Sequence, residues 1–352
     1  MKARAIRITA VPRSGHPNSG LQALYFAKHY GDDVWALPAA GSYIGDYLRV
    51  KFFFLDLNWV KNIIPIRAIR AAYLFWMFVR ALLLPSRIFF IHSFIFALPL
   101  WFLRKKYCIF IHGSDRRFLD MPWSQAVICG AVAVFGVGFG HRSDKFTVQE
   151  VPNIFIPATC NSQQHRETDV LFVLRNAPVK NPIYPITLSE KLGASLNLRI
   201  NVIGVAARDL SPTDQTRLRH LKEQGQNINY LGRRSYDEVV SLMAECYILM
   251  IPSFSEGIPK VLLEGMFQGM HIVINKTLMF PAEIMARVDS VALDDWDTIT
   301  TTIVRQRTLE RNDANISFAR QYLTLSQKSL LNLYDEIYAH HGDGIFHKIS
   351  SP

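Results

Sequence analysis

Residues 247–283, YILMIPSFSEGIPKVLLEGMFQGMHIVINKTLMFPAE, constrain the fold more than any other stretch of the chain. Residues 247–251 form a short apolar run with the length and bounding of a buried parallel strand, closed by Pro252, Ser253 and a polar turn. Pro259 stands where a first helical residue is expected, because its fixed φ suits a helix start and its missing N–H would go unpaired there. Val261, Leu262, Leu263 and Met266 supply an apolar face, and Gly269 supplies a stop. The stretch therefore predicts a strand, a glycine-containing loop and a helix whose free N–H groups face the carboxyl end of a sheet, the makings of an anion site. Two carboxylates bracket the turn. Glu256 lies in the loop, and Glu264 lies about a turn and a half into the helix at ~3.6 residues per turn. Taken singly, each is an ordinary solvated glutamate.

The remaining length sets the scale. A chain of 352 residues is expected to form two domains, each large enough for its own core. With 49% hydrophobic and 19% charged residues it reads as globular α/β, not disordered. Cys108, Cys129, Cys160 and Cys246 are scattered without a CxxC pair, which fits a reducing cytosol. Residues 1–160 hold 19 Lys and Arg against 8 Asp and Glu, or +11, whereas residues 161–352 hold 20 against 21, or −1. A one-sided charge of this kind points to an anionic partner of the first half. No nucleic-acid module accompanies it, so an anionic membrane surface is the expected partner and nucleic acid is not.

Read in order, residues 5–11 make a first strand, too short and interrupted for a signal peptide. A polar turn at 12–19 and Gly20 lead into a helix over 20–29, followed by a strand at 34–38, the start of a βαβ unit. Residues 50–56 read as another strand. Residues 65–84 read as an apolar, aromatic helix whose three arginines favour a buried or interfacial position over a membrane span. Residues 87–106 are split by His92, Ser93 and Pro99 into a strand and a helix, and a strand at 107–111 ends at His112 and Gly113. Gly136, Gly138 and Gly140 lack the spacing and the following helix of a dinucleotide fingerprint and are read as a loop. In the second half, strands at 169–174, 198–203 and 228–231 alternate with a charged helix at 212–224 and a helix ending near Ala244. A last strand at 290–293 follows the opening stretch, and the chain reads as helical from 295 to 338. This alternation predicts parallel sheets covered on both faces.

The E-x7-E string with its interior G-x-P and flanking P-S, carried by Pro252, Ser253, Glu256, Gly257, Pro259, Leu263, Glu264 and Gly269, resembles the signature of the family 4 retaining glycosyltransferases of GT-B fold. The resemblance is strongest over roughly 170–285. It implies two Rossmann-like parallel-sheet domains facing a cleft, with an acceptor-side domain over 1–157 and a linker over 158–168. A donor domain over 169–316 and a C-terminal helix over 317–352 returning to the first domain complete the expected plan. It also implies a nucleotide-diphosphate sugar donor and no further cofactor. Arg175 and Lys180, five residues apart after the first strand of the second half, would meet the diphosphate, and Glu264 would accept hydrogen bonds from the ribose. Glu256, with the backbone around Gly257 and Ile258, would orient sugar hydroxyls. Val261 at the helix start and Gly20 after the first strand would approach the donor, and His112 would sit over the donor sugar.

No metal is expected. The Asp295-Trp296-Asp297 string, which elsewhere holds a metal, precedes Thr298 at a helix start and is explained by the helix. Family members of this kind often extend lipid-linked surface polysaccharides, so the implied acceptor is a glycan or glycolipid and the implied place is the cytoplasmic face of a membrane. The competing readings are an epimerase or glycosyl phosphorylase on the same fold, and a non-catalytic sugar- or membrane-binding relative. Three departures from the family pattern stand out: Leu174 for a glycine, Met270-His271 for a small residue and proline, and 277–282 for paired glycines.

Overall fold

Short apolar runs separated by helices pair in parallel, and among its described residues the computed structural model has two such sheets. It describes residues 6–10, 26, 29–30, 33–37, 75–76, 78–83, 88–92, 94–111, 121–137, 146–155 and 166–342. The chain divides into two compact units, one of Met1–Ile154 with Leu325–Pro352 and one of Phe155–Thr324. The sequence reading drew its boundaries instead at 157, 168/169 and 316/317.

In the second unit the strands are β7 (Thr168–Val173), β8 (Arg199–Ile203), β9 (Asn227–Gly232), β10 (Cys246–Ile251), β11 (His271–Asn275) and β12 (Asp289–Val291), all paired in parallel. Their order is β12-β11-β10-β7-β8-β9. The chain thus runs outward from β7 through β8 and β9, then returns to the other side of β7 and runs outward through β10, β11 and β12. Strands buried on both faces carry the near-continuous apolar runs seen here: Val170, Phe172, Ile200, Val202, Ile248 and Met250 are all within the core. Gly265 lets helix Lys260–Phe267 lie close on the sheet, since a Cβ there would fall 2.6 Å from Leu249 Cδ2. Asp295 caps helix Trp296–Arg307, its carboxylate accepting from the Thr298 N–H at 3.1 Å and hydroxyl at 2.7 Å. The acidic string at 295–297 therefore has a helix-start role.

In the first unit the strands are β1 (Ile6–Ala10), β2 (Asp33–Leu37), β3 (Phe89–Ile91), β4 (Tyr107–Ile111), β5 (Ala133–Val137) and β6 (Gln149–Val151). They are parallel and ordered β2-β1-β3-β4-β5-β6. Arg7 on β1 is wholly buried, its guanidinium 4.3 Å from the Tyr334 ring and 4.6 Å from the Phe90 ring. Tyr30 donates to the Leu331 carbonyl at 3.0 Å. These contacts seat the later turns of helix Asp313–Gly342 on this sheet.

Four local readings change. Gly136 belongs to β5 and not to a loop, because the apolar run of 133–137 pairs with β4. Pro259 is the residue before the helix, with φ −73° and ψ 136°, and Lys260 is the first helical one. The long helix begins at Asp313, ahead of 317, because Asn312 and Asn315 tie its start to the carbonyls of Gly269 and Met270. Thr168, read as linker, already belongs to β7. The strand read at 50–56 lies outside the described residues. Among the described residues, no helix is long and apolar enough to cross a membrane.

Candidate functional site

The strand order of the second unit has one reversal, between β7 and β10. In open parallel sheets the loops leaving the strands at such a point diverge and leave a crevice at the carboxyl ends. Here those loops are 174–180 and 252–259, which carry Arg175, Lys180, Glu256, Gly257 and Ile258. The loops are stitched together by a hydrogen bond from the Phe254 N–H to the Val179 carbonyl at 2.9 Å.

Lys180 and Glu256 form an ion pair across this junction. The Ser253 hydroxyl donates to the same carboxylate oxygen at 2.8 Å. Both charged side chains are largely shielded, 16% and 12% exposed, so solvent screens the pair less than it would a surface pair. Lys180 ends a single 3-10 turn, Pro178–Lys180, and Asn181 follows in the left-handed region at φ 52°, a position asparagine tolerates. Arg175 is exposed, and among the described residues no hydrogen bond or ion pair engages its guanidinium. The two cations five residues apart thus differ: one is held by a carboxylate, the other points to solvent.

Leu174 stands where the family resemblance expects glycine, and the structure accounts for it. Its side chain is buried in the core, while its carbonyl meets Gly204 on the neighbouring strand end. Gly204 has φ +91°, and a Cβ there would fall 2.0 Å from the Leu174 oxygen. The backbone approach beside Arg175 therefore depends on the glycine at 204.

Glu264 is buried on helix Lys260–Phe267. Lys260, one turn earlier on the same face, was not singled out from the sequence. It is half-buried; loss of hydration pulls its ammonium down to about 8, and the nearby Glu264 carboxylate opposes that shift. The spacing of four between a lysine at the helix start and a glutamate was the signal available. Val261 is half-buried, Ile258 buried and Gly257 exposed. Gly269, at φ +70°, ends the helix as expected, with the Met270 N–H reaching the Gly265 carbonyl at 3.0 Å.

The other departures also have structural reasons. Met270 is buried, and the buried His271 starts β11, its ring nitrogen 2.9 Å from the Glu310 carbonyl oxygen. In 277–282 the side chains of Leu278 and Phe280 are buried and the Thr277 hydroxyl donates to the Phe254 carbonyl at 3.5 Å, while Asn275 at the end of β11 donates to the Ser253 carbonyl at 3.2 Å, so this strand end and its loop brace the loop that carries Glu256. Glu283 is exposed in the short helix Ala282–Met285. Gly20 and His112 lie outside the described residues. His92 at the end of β3 is fully buried and stacks on Phe110 at 4.6 Å, as a core histidine does.

Residues 161–294 match the family model of the glycosyl transferases group 1. The match holds the whole β7–β10 junction. It supports the superfamily, and family 4 within it is a finer assignment. A 46-residue stretch is 48% identical to an uncharacterized glycosyltransferase of Methanocaldococcus jannaschii, and it spans 13% of this chain and 13% of that one. Among solved structures, the chain is similar to Anabaena HepE in complex with UDP and glucose, with a TM-score of 0.64 and 14% identity over 94% of this chain and 99% of that one. It is also similar to an α,α-trehalose-phosphate synthase (UDP-forming) from Burkholderia vietnamiensis, with a TM-score of 0.60 and 13% identity over 97% and 99%. The fold is GT-B.

Proposed function

We propose that the chain is a retaining glycosyltransferase that moves a sugar from a nucleotide-diphosphate sugar to a lipid-linked glycan at an anionic membrane surface. The observation that carries this reading is the meeting of Lys180 and Glu256 at the β7–β10 switch point, within the segment that matches the group 1 glycosyltransferases. A uridine nucleotide is the natural first donor to try, since the solved HepE relative was bound to UDP and glucose.

In this reading the donor diphosphate lies against Arg175, Lys180 and the first N–H groups of helix Lys260–Phe267, whose dipole favours an anion. Glu264 accepts hydrogen bonds from the ribose hydroxyls, and Glu256 with the Gly257–Ile258 backbone orients the sugar. Lys180 shares its charge between Glu256 and phosphate, so the carboxylate that positions the sugar also fixes the cation that meets the leaving group. The bond formed joins the acceptor oxygen to the anomeric carbon, and the bond broken joins that carbon to the diphosphate oxygen. The acceptor proton passes to the departing diphosphate on the same face, which gives retention. Developing negative charge on the diphosphate is stabilised electrostatically by the two cations and the helix start, with no resident metal invoked.

The test is turnover across a panel of nucleotide sugars, as transfer or donor hydrolysis. Each lost charge-assisted contact is worth about 1.5–3 kcal/mol, so Lys180→Ala and Glu264→Ala are each expected to lower kcat/KM roughly 10- to 100-fold. Turnover that survives both substitutions overturns the site.

A further inference from the structure

We infer that the first unit docks on an anionic lipid surface through one patch, built from the helix at residues 75–76 and 78–83 and from helix Ala97–Phe102. The inference deepens the membrane part of the proposed function and rests on that reading. The first of these helices is apolar on its outward face as well as on its inward one. Its inward face is accounted for: Ala81 lies in the core of the first unit and Trp76 packs against that core. Its outward face is Phe75, Val79, Leu82 and Leu83, spaced i, i+4, i+7 and i+8, so four apolar side chains form one stripe. Phe75 is 69% exposed, Leu82 58% and Leu83 74%. Single exposed leucines are commonplace on protein surfaces, but a whole helix face of them is not.

The second helix continues the patch. Phe78 touches Phe102 with ring centroids 5.9 Å apart, and Phe102 is itself 70% exposed with Trp101 at 40% beside it. Immediately after these aromatics come Arg104, exposed, and Lys105 and Lys106, half-buried. An apolar face edged by aromatics and cations, on the half of the chain that carries +11, has the composition of an interfacial helix seated at the boundary of headgroups and acyl chains. Charge complementarity selects an anionic bilayer: apolar side chains enter the boundary while Arg104 and its neighbours meet phosphate headgroups. The short length of helix Ala97–Phe102 fits lying on the surface.

The test is co-sedimentation of the full chain with vesicles of phosphatidylcholine alone or with 30% phosphatidylglycerol, alongside sedimentation velocity without lipid. The wild type is expected to bind the anionic vesicles and to lose binding as salt rises. The double variant Leu82→Glu/Leu83→Glu is expected to bind at least tenfold more weakly, and Arg104→Glu several-fold more weakly, near fivefold for each cation lost at such a surface. Val304→Glu, on an exposed apolar residue of the second unit, should bind as the wild type does. All four substituted side chains are exposed, and unchanged thermal melting of each variant separates lost docking from lost folding.

Wild-type binding that is unmoved by the double variant overturns this patch and leaves membrane attachment standing. Absence of wild-type binding to either vesicle overturns both. Self-association in solution that Leu82→Glu/Leu83→Glu abolishes, without vesicle binding, gives the patch to a second copy of the chain and overturns the lipid assignment. No arm uses turnover, so the transferase reading stands or falls separately.

Discussion

At Lys260 a cation opens a buried helix one turn ahead of a buried carboxylate, and its charge is costly there. Burial pulls its ammonium down to about 8 despite Glu264. The sign of the pH effect follows. A lysine with a depressed folded pKa is charged in both states below about pH 8, where its burial penalty is full, and neutral in both above the ordinary lysine range near 10.5. Lys260→Met should therefore be more stable than the wild type at pH 7, and that advantage should shrink between about pH 8 and 10.5 in denaturant titrations of both proteins. A constant difference across that range contradicts the burial of the charge. At the same scale, the resemblance singles out Glu256 and Lys180 but not their ion pair, because they are 76 residues apart and meet only through the strand order. A lysine at a helix start is usually solvated, so the sequence alone does not mark Lys260. What makes this one different is its packing.

Elements place these residues through backbone approach as much as through side chains. The end of β8 must let the Leu174 carbonyl pass, and Gly204 does so in a conformation that other residues rarely adopt. Gly204→Ala is expected to destabilise the protein by about 1–3 kcal/mol from strained backbone alone, read by chemical denaturation, with any clash adding to that. An alanine variant as stable as the wild type contradicts the close approach beside Arg175. Strand β4 was legible at its true bounds as an apolar run between a basic turn and His112. The helical run Tyr184–Leu196, which passes through a π turn at Ser189–Gly193, was not legible from the sequence. Burial of Tyr184, Ile186 and Leu188 against the sheet holds it in place. The strand β11 was missed as well. Only Ile272, Val273 and Ile274 are apolar between His271 and Asn275, and a run of three declares no period.

Over the whole molecule, the alternation of strands and helices was enough to predict parallel sheets, and the resemblance was enough to name GT-B. Strand order was beyond reach: placing β7 between β10 and β8 depends on pairing across the second unit, which no local pattern records. Yet that order is what brings two ordinary loops together. The most direct measurement is calorimetric titration of UDP into the intact chain and into Lys180→Ala and Glu264→Ala. Saturable binding by the wild type, weakened about tenfold or more by each substitution, is the expected result. Binding of equal strength in all three, or none in the wild type, would contradict a nucleoside-diphosphate site at the β7–β10 switch point.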